Sequence, residues 1–143
     1  MNTKRILVYL LSFLCVAILA SACQAPKPAS ISNEQIREMA DNILVSINQD
    51  DYPGFTNDFS DQMISTFTKQ QFTDLRTTLQ GASGNYVSCQ SDPTLSNQQS
   101  YAVYQYKCQF EKEEVIVTLV FAIDGDKVEG LFFNSEALRA IAK

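Results

Sequence analysis

The fold turns on residues 100–134, SYAVYQYKCQFEKEEVIVTLVFAIDGDKVEGLFFN. In Ser100–Phe110 the side chains alternate: Ala102, Tyr104, Tyr106, Cys108 and Phe110 share one face, with Gln105, Lys107 and Gln109 mostly opposite. That period of two is the signature of a half-buried strand. Val115–Ile123 is apolar on both faces, which predicts a central, doubly covered strand. Asp124-Gly125 is a tight-hairpin signal, and Val128–Phe133 returns as the last strand. Upstream, Tyr86–Ser91 reads as a short strand carrying Cys89, followed by a polar connection, Asp92–Gln99, that contains Pro93 and Asn97. Four antiparallel strands are therefore expected. Pairing the first two across that connection sets Ser91 opposite Tyr106 and brings Cys89 and Cys108 to one face, where a disulfide can staple them.

N-terminal to the strands the period is helical. Ser32 and Gln35 form a capping box, Ile31 and Ile36 occupy the two positions of a hydrophobic staple, and Ile36, Met39, Ala40, Ile43, Leu44 and Ile47 make one apolar stripe. A helix from about Asn33 to Asn48 follows, stopping before Asp50-Asp51. Phe55, Phe59, Met63 and Phe67 step by four, but Pro53-Gly54 and Phe59-Ser60 interrupt them, so two short helical pieces with a break near Ser60 are expected. Thr68 with Gln71, and Phe67 with Phe72, repeat the capping box and staple. Phe72, Leu75 and Leu79 mark that helix's buried face, and Gly81 is expected just past its end. Ser135 is placed to cap a final short helix carrying Ala137, Leu138 and Ile141. One α+β domain, residues 32–143, accounts for all of these elements.

The first 31 residues carry a different message. Lys4 and Arg5 precede the apolar run Ile6–Ala20, and Ala20-Ser21-Ala22 supplies the small residues a signal peptidase needs. The run is shorter than the roughly 20 residues that span a bilayer core. Met1–Ala22 is thus read as a signal peptide. Leu19-Ala20-Ser21-Ala22-Cys23 is similar to a lipobox, which makes Cys23 the residue that receives acyl chains and holds the mature protein on a membrane. Ala20 stands where Leu is commonest, so ordinary secretory cleavage at the same triplet, giving a soluble secreted or periplasmic protein, is the alternative. Residues 23–31, with Pro26 and Pro28, are read as a tether.

Composition narrows the chemistry. Loss of Met1–Ala22 leaves 121 of 143 residues and removes Lys4 and Arg5, taking the net charge from −5 to −7. With Lys and Arg scattered singly, no basic patch suits a phosphate backbone, so nucleic acid is excluded as a partner. Histidine is absent, which removes the commonest general base and metal ligand. Cys15 leaves with the signal peptide, and two remaining thiols, Cys89 and Cys108, cannot complete a zinc shell without unusual carboxylate help. No metal or cofactor is expected. An oxidising compartment favours the disulfide instead. Glu111-Lys112-Glu113-Glu114 reads as a solvated turn.

From about Glu34 to Phe133 the chain resembles the bacterial family called domain of unknown function 3887. The likeness is carried by Asp51-Tyr52 with Phe55, Phe59-Ser60 with Met63, Gly84-Asn85-Tyr86 and, most characteristically, Val128-Glu129-Gly130-Leu131-Phe132-Phe133. It implies a cone of nuclear-transport-factor-2-like (cystatin-like) architecture, with N-terminal helices packed on a curled antiparallel sheet, and an exported or envelope setting. It brings no catalytic residues. The Cys89/Cys108 pair is not part of the family pattern. Tyr104, Tyr106, Phe110, Phe121 and Phe132 either fill such a cone or line a ligand cavity in it. Three functions remain: a non-catalytic envelope module binding a protein partner or a small apolar ligand, a small isomerase- or hydrolase-like enzyme using the cone pocket, and a structural scaffold lipoprotein. The enzyme needs a carboxylate inside the cone, and no Asp or Glu occupies an interior-looking strand position; the binding module leads.

Overall fold

The structure, a computed structural model, describes residues 28–142. The expected signal peptide, Cys23 and most of the tether lie outside these residues. Helix α1 (Asn33–Gln49) begins as its sequence dictates. The Ser32 hydroxyl accepts from the Gln35 amide while the Gln35 side chain accepts from the Ser32 amide. Asp50 ends the helix in the left-handed conformation, φ 59°. Ile36, Ala40, Ile43, Leu44 and Ile47 are buried, so the apolar stripe is the packing face.

Two short helices follow, α2 (Tyr52–Thr56) and α3 (Asp61–Thr66). Between them Phe59 forms a parallel bridge with Val128, fixed by hydrogen bonds from Val128 N–H to the Asp58 carbonyl and from Ser60 N–H to the Val128 carbonyl. The expected break near Ser60 is thus the point where this segment docks on the sheet. Helix α4 (Lys69–Ser83) carries the second capping box, Thr68 with Gln71. It runs through Gly81 and ends at Gly84, whose φ of 82° favours glycine. The expected stop at Gly81 is corrected. That glycine lies in the last turn of the helix, and the conformational break comes three residues later.

The sheet has five strands, one more than expected: β1 (Tyr86–Cys89), β2 (Thr94–Gln98), β3 (Tyr101–Phe110), β4 (Glu114–Ala122) and β5 (Val128–Asn134). Pairing is antiparallel in the order β1-β3-β4-β5, with β2 also on β3. β1 and β2 lie along successive lengths of one edge of β3. Cys89 pairs with Cys108 and Thr94 with Gln105, so four residues, Gln90–Pro93, oppose only Tyr106 and Lys107. The surplus is looped out. The Cys89–Cys108 register is the expected one, the paired ladder stops short of Ser91, and most of the expected polar connection is instead a strand. β2 then reaches β3 through a turn in which Gln99 takes φ 55°.

The inner face of the sheet carries Ala102, Tyr104, Tyr106, Cys108 and Phe110 from β3 and Val115, Val117, Leu119 and Phe121 from β4. All are buried in one core with the stripes of α1 and α4. On β4 the alternate residues Ile116, Thr118, Val120 and Ala122 are only half-buried. The helices cover one face, so the expectation of a doubly covered strand is corrected. A register shift between Val120 and Phe121 places an extra β5 residue near Glu129. Bulges of this kind bend a strand and curl the sheet. After β5, Ser135 caps α5 (Glu136–Ile141), its hydroxyl accepting from the Leu138 amide.

Candidate functional site

The β5 bulge decides where the aromatic residues go. Val128 points inward opposite Phe121, and strict alternation would send Gly130 and Phe132 inward as well. The extra residue reverses the phase, so Leu131 and Phe133 pair with the inward-facing Leu119 and Val117, whereas Phe132 pairs with Thr118 on the outer face. Phe132 is 61% exposed. Its ring leans over Gly130, so a β-carbon there would stand 3.2 Å from Phe132 Cε2 and 3.3 Å from Val120 Cβ. Of the five aromatics considered as cavity lining, Phe132 therefore stands apart from the other four and lines a cleft outside the filled interior.

Tyr104, Tyr106, Phe110 and Phe121 do come together, fully enclosed in the core. Tyr104 and Phe121 meet edge to face with centroids 5.8 Å apart. The Tyr104 hydroxyl accepts a hydrogen bond from the Ala29 amide. Tyr106 is packed just as tightly, its hydroxyl has no hydrogen-bond partner among the described residues, and burial pushes its pKa up to about 12. These four side chains fill the interior.

An open apolar cleft lies elsewhere, between α4, β5 and α5. Its walls are Phe67, Leu75, Leu79, Leu131, Phe132, Phe133 and Leu138, with Thr78 among them, and its volume is about 300 Å³. The phase reversal on β5 brings Leu131 and Phe133 to the floor. The α5 wall is held by Glu113 in the β3–β4 turn. Both the Ser83 and Ser135 hydroxyls donate to Glu113 Oε1, each at 2.6 Å, and the Ala137 amide donates to Oε2 at 3.3 Å. Burial works to raise this carboxyl's pKa, yet the hydrogen bonds from Ser135, Ser83 and Ala137 prevail and hold it below the ordinary range. Glu113 is thus an ionised clamp joining the end of α4, the turn and the start of α5. Its neighbour Glu111 accepts from the Asn85 backbone and side chain. The solvated-turn reading of Glu111–Glu114 holds for the exposed Glu111 and is corrected for Glu113, which is half-buried.

On the opposite edge, polar groups fasten β1 to α1. Arg37 pairs with Asp41 and donates to the Gln90 carbonyl, while the Tyr86 hydroxyl donates to Asp41 Oδ1. Asn48 presents its carboxamide to Tyr86 like a neighbouring strand, accepting from the amide and donating to the carbonyl. Burial, reinforced by Asp41, raises the Tyr86 pKa, so the phenol keeps its proton. This acid–tyrosine contact ties β1 to α1. The Cys89–Cys108 disulfide sits beside it, joining directly paired residues of β1 and β3. Among the described residues no three Cys, Asp or Glu side chains gather in a way that would hold a metal ion.

The position of the cleft and the clamp were not foreseen, although Phe132 was considered as pocket lining and Phe67, Leu75 and Leu138 belonged to expected apolar faces. Their convergence depends on the bulge, which leaves no mark in the hydrophobic pattern. No curated protein matches the chain, and neither does any solved structure. The family model described as protein of unknown function (DUF3887) matches residues 40–131, from within α1 to within β5. That span is most of the folded domain, and the chain belongs to this family.

Proposed function

We propose that the protein is an exported bacterial envelope lipoprotein, held on a membrane by acylated Cys23, whose domain binds an apolar segment of a protein partner in the α4–β5–α5 cleft. The observation that carries the binding reading is the contrast between a filled interior and an apolar cleft of about 300 Å³. That volume is at the small end for ligand pockets and suits one or two inserted apolar side chains. Phe132, exposed on the cleft wall, adds apolar surface of the kind found at interfaces. Export is supported by the basic, apolar and small-residue order of Lys4–Ala22 and by a disulfide suited to an oxidising compartment.

Two measurements test this. Intact mass of the membrane-extracted protein shows acyl chains on Cys23; a soluble chain with unmodified Cys23 overturns the anchor. The apolar probe 8-anilinonaphthalene-1-sulfonate reports the cleft. Leu75→Gln and Leu138→Gln each weaken probe binding roughly tenfold, from lost apolar contact. Val87→Gln, at an exposed position on β1, leaves it unchanged. Equal binding by all of these variants, with unchanged circular dichroism, overturns the cleft as a binding site.

A further inference from the structure

The path of the chain into the domain sets how an anchored molecule stands. Ala29 is buried, its amide donating 3.0 Å to the hydroxyl of the enclosed Tyr104. Ser30 follows, and its amide and hydroxyl both donate to the Gly125 carbonyl, at 3.2 and 2.8 Å. Residues 29 and 30, which the sequence assigned to the tether, are therefore part of the fold. They fasten the entering chain to the β4–β5 hairpin. Only residues 24–28 separate Cys23 from this attachment, so the two ends are at most about 20 Å apart when fully extended. A domain of this length is roughly 35 Å across. The spacer is too short to pass around it.

The cleft lies toward the other end of the sheet. Its β5 residues Leu131–Phe133 lie roughly 10–17 Å along the strand beyond Val128, and its α5 wall is held by Glu113 in the β3–β4 turn, at the far end of β4 from the hairpin. Around the hairpin stand Asp58, Asp61, Asp124, Asp126 and Glu129, against Lys127. Acids in that number are repelled by anionic headgroups, so this end rests near the lipid without entering it.

We infer that the anchored protein stands with its β4–β5 hairpin toward the bilayer and its apolar cleft turned away, so that the cleft receives a segment of a water-borne protein and not a membrane lipid. The inference rests on the acylation of Cys23. The chain contains no tryptophan, so one introduced residue serves as a unique donor. Lys127→Trp and Glu136→Trp, both at exposed positions, mark the two ends. In vesicles carrying the acylated protein and dansyl-headgroup lipid, fluorescence transfer from the Lys127→Trp protein exceeds that from the Glu136→Trp protein several-fold. To separate orientation from acylation, the chain starting at Cys23 is coupled through that thiol to a maleimide lipid, with the disulfide left closed. The same ordering appears. Equal or reversed transfer in the coupled protein overturns the orientation even if native acylation is found. Correct ordering there, with no acyl chains on the native protein, overturns only the anchor.

Discussion

Cys89 and Cys108 face one another at a non-hydrogen-bonded position of the β1–β3 ladder. The next residue, Gln90, donates its amide to the Lys107 carbonyl, which is the pattern that flanks such a pair. Side chains approach more closely at these positions, which suits a cross-strand bridge. Beyond Gln90 the ladder is interrupted by the looped-out residues, and β1 is only four residues long.

The disulfide therefore stabilises an edge that has few other ties. Closure over a separation of 19 residues is worth about 3 kcal/mol on the chain-entropy account. The Cys89→Ala/Cys108→Ala double variant should lose about that much in urea unfolding. Wild-type protein in excess dithiothreitol should fall to nearly the same midpoint. A variant as stable as the oxidised wild type would show that Asn48 and the Arg37–Asp41–Tyr86 contacts hold β1 without help.

Gly81 and Gly84 should respond in opposite directions. A β-carbon at Gly81 meets nothing within 4 Å, and the residue is helical, so Gly81→Ala should stabilise the protein by about 0.5–1 kcal/mol. Gly84 has φ 82°, and a β-carbon there would stand 2.8 Å from Glu111 Cβ. Gly84→Ala should cost about 1–3 kcal/mol from backbone strain and displacement of Glu111. Thermal unfolding of the two variants checks the sign of each.

These glycines also show what was readable in the sequence. Both capping boxes, the helix faces, β3 to β5 and the cysteine pairing follow from local chemistry: Ser32 and Thr68 bond within their own first turns, and inner-face alternation on β3 is unbroken. The stop of α4 was misassigned because Gly81 and Gly84 differ only in backbone conformation. β2 was missed because Thr94–Gln98 is an edge strand with mostly polar, exposed side chains, and no apolar face announces it. Phe132 was assigned to the interior because a period of two cannot register the extra residue near Glu129. The cleft depends on that same bulge, so it became visible only with the sheet register.

Glu113 should make stability depend on acid. The fold lowers its proton affinity, so its contribution is complete above the ordinary glutamate value of 4.5 and disappears as pH falls through the lower folded value. Glu113→Gln removes the charge that both serine hydroxyls and the Ala137 amide point toward, which should cost about 1–2 kcal/mol at neutral pH. The difference between wild type and variant should shrink progressively below pH 4.5. Urea unfolding at a series of pH values measures it, and a difference that stays constant down to strong acid would remove the charge from the explanation. Because α5 forms one wall of the cleft, probe binding by the variant should weaken together with stability at neutral pH.

Tyr104→Phe isolates the contact that pins the entering chain. The ring and its edge-to-face packing on Phe121 are retained, and only the acceptor for the Ala29 amide is lost. That leaves a buried N–H without a partner and should destabilise the domain by about 1–3 kcal/mol if Ala29 stays in place, or less if it swings out to water. Hydrogen exchange decides between the two. Release of the segment should accelerate exchange at Ala29 and Ser30 far more than in β3 or β4. It would also lengthen the spacer behind Cys23 and weaken the difference in transfer between the two ends of an anchored molecule. Unchanged protection at both residues would mean that the Ser30 bonds to Gly125 suffice to hold the chain at the hairpin.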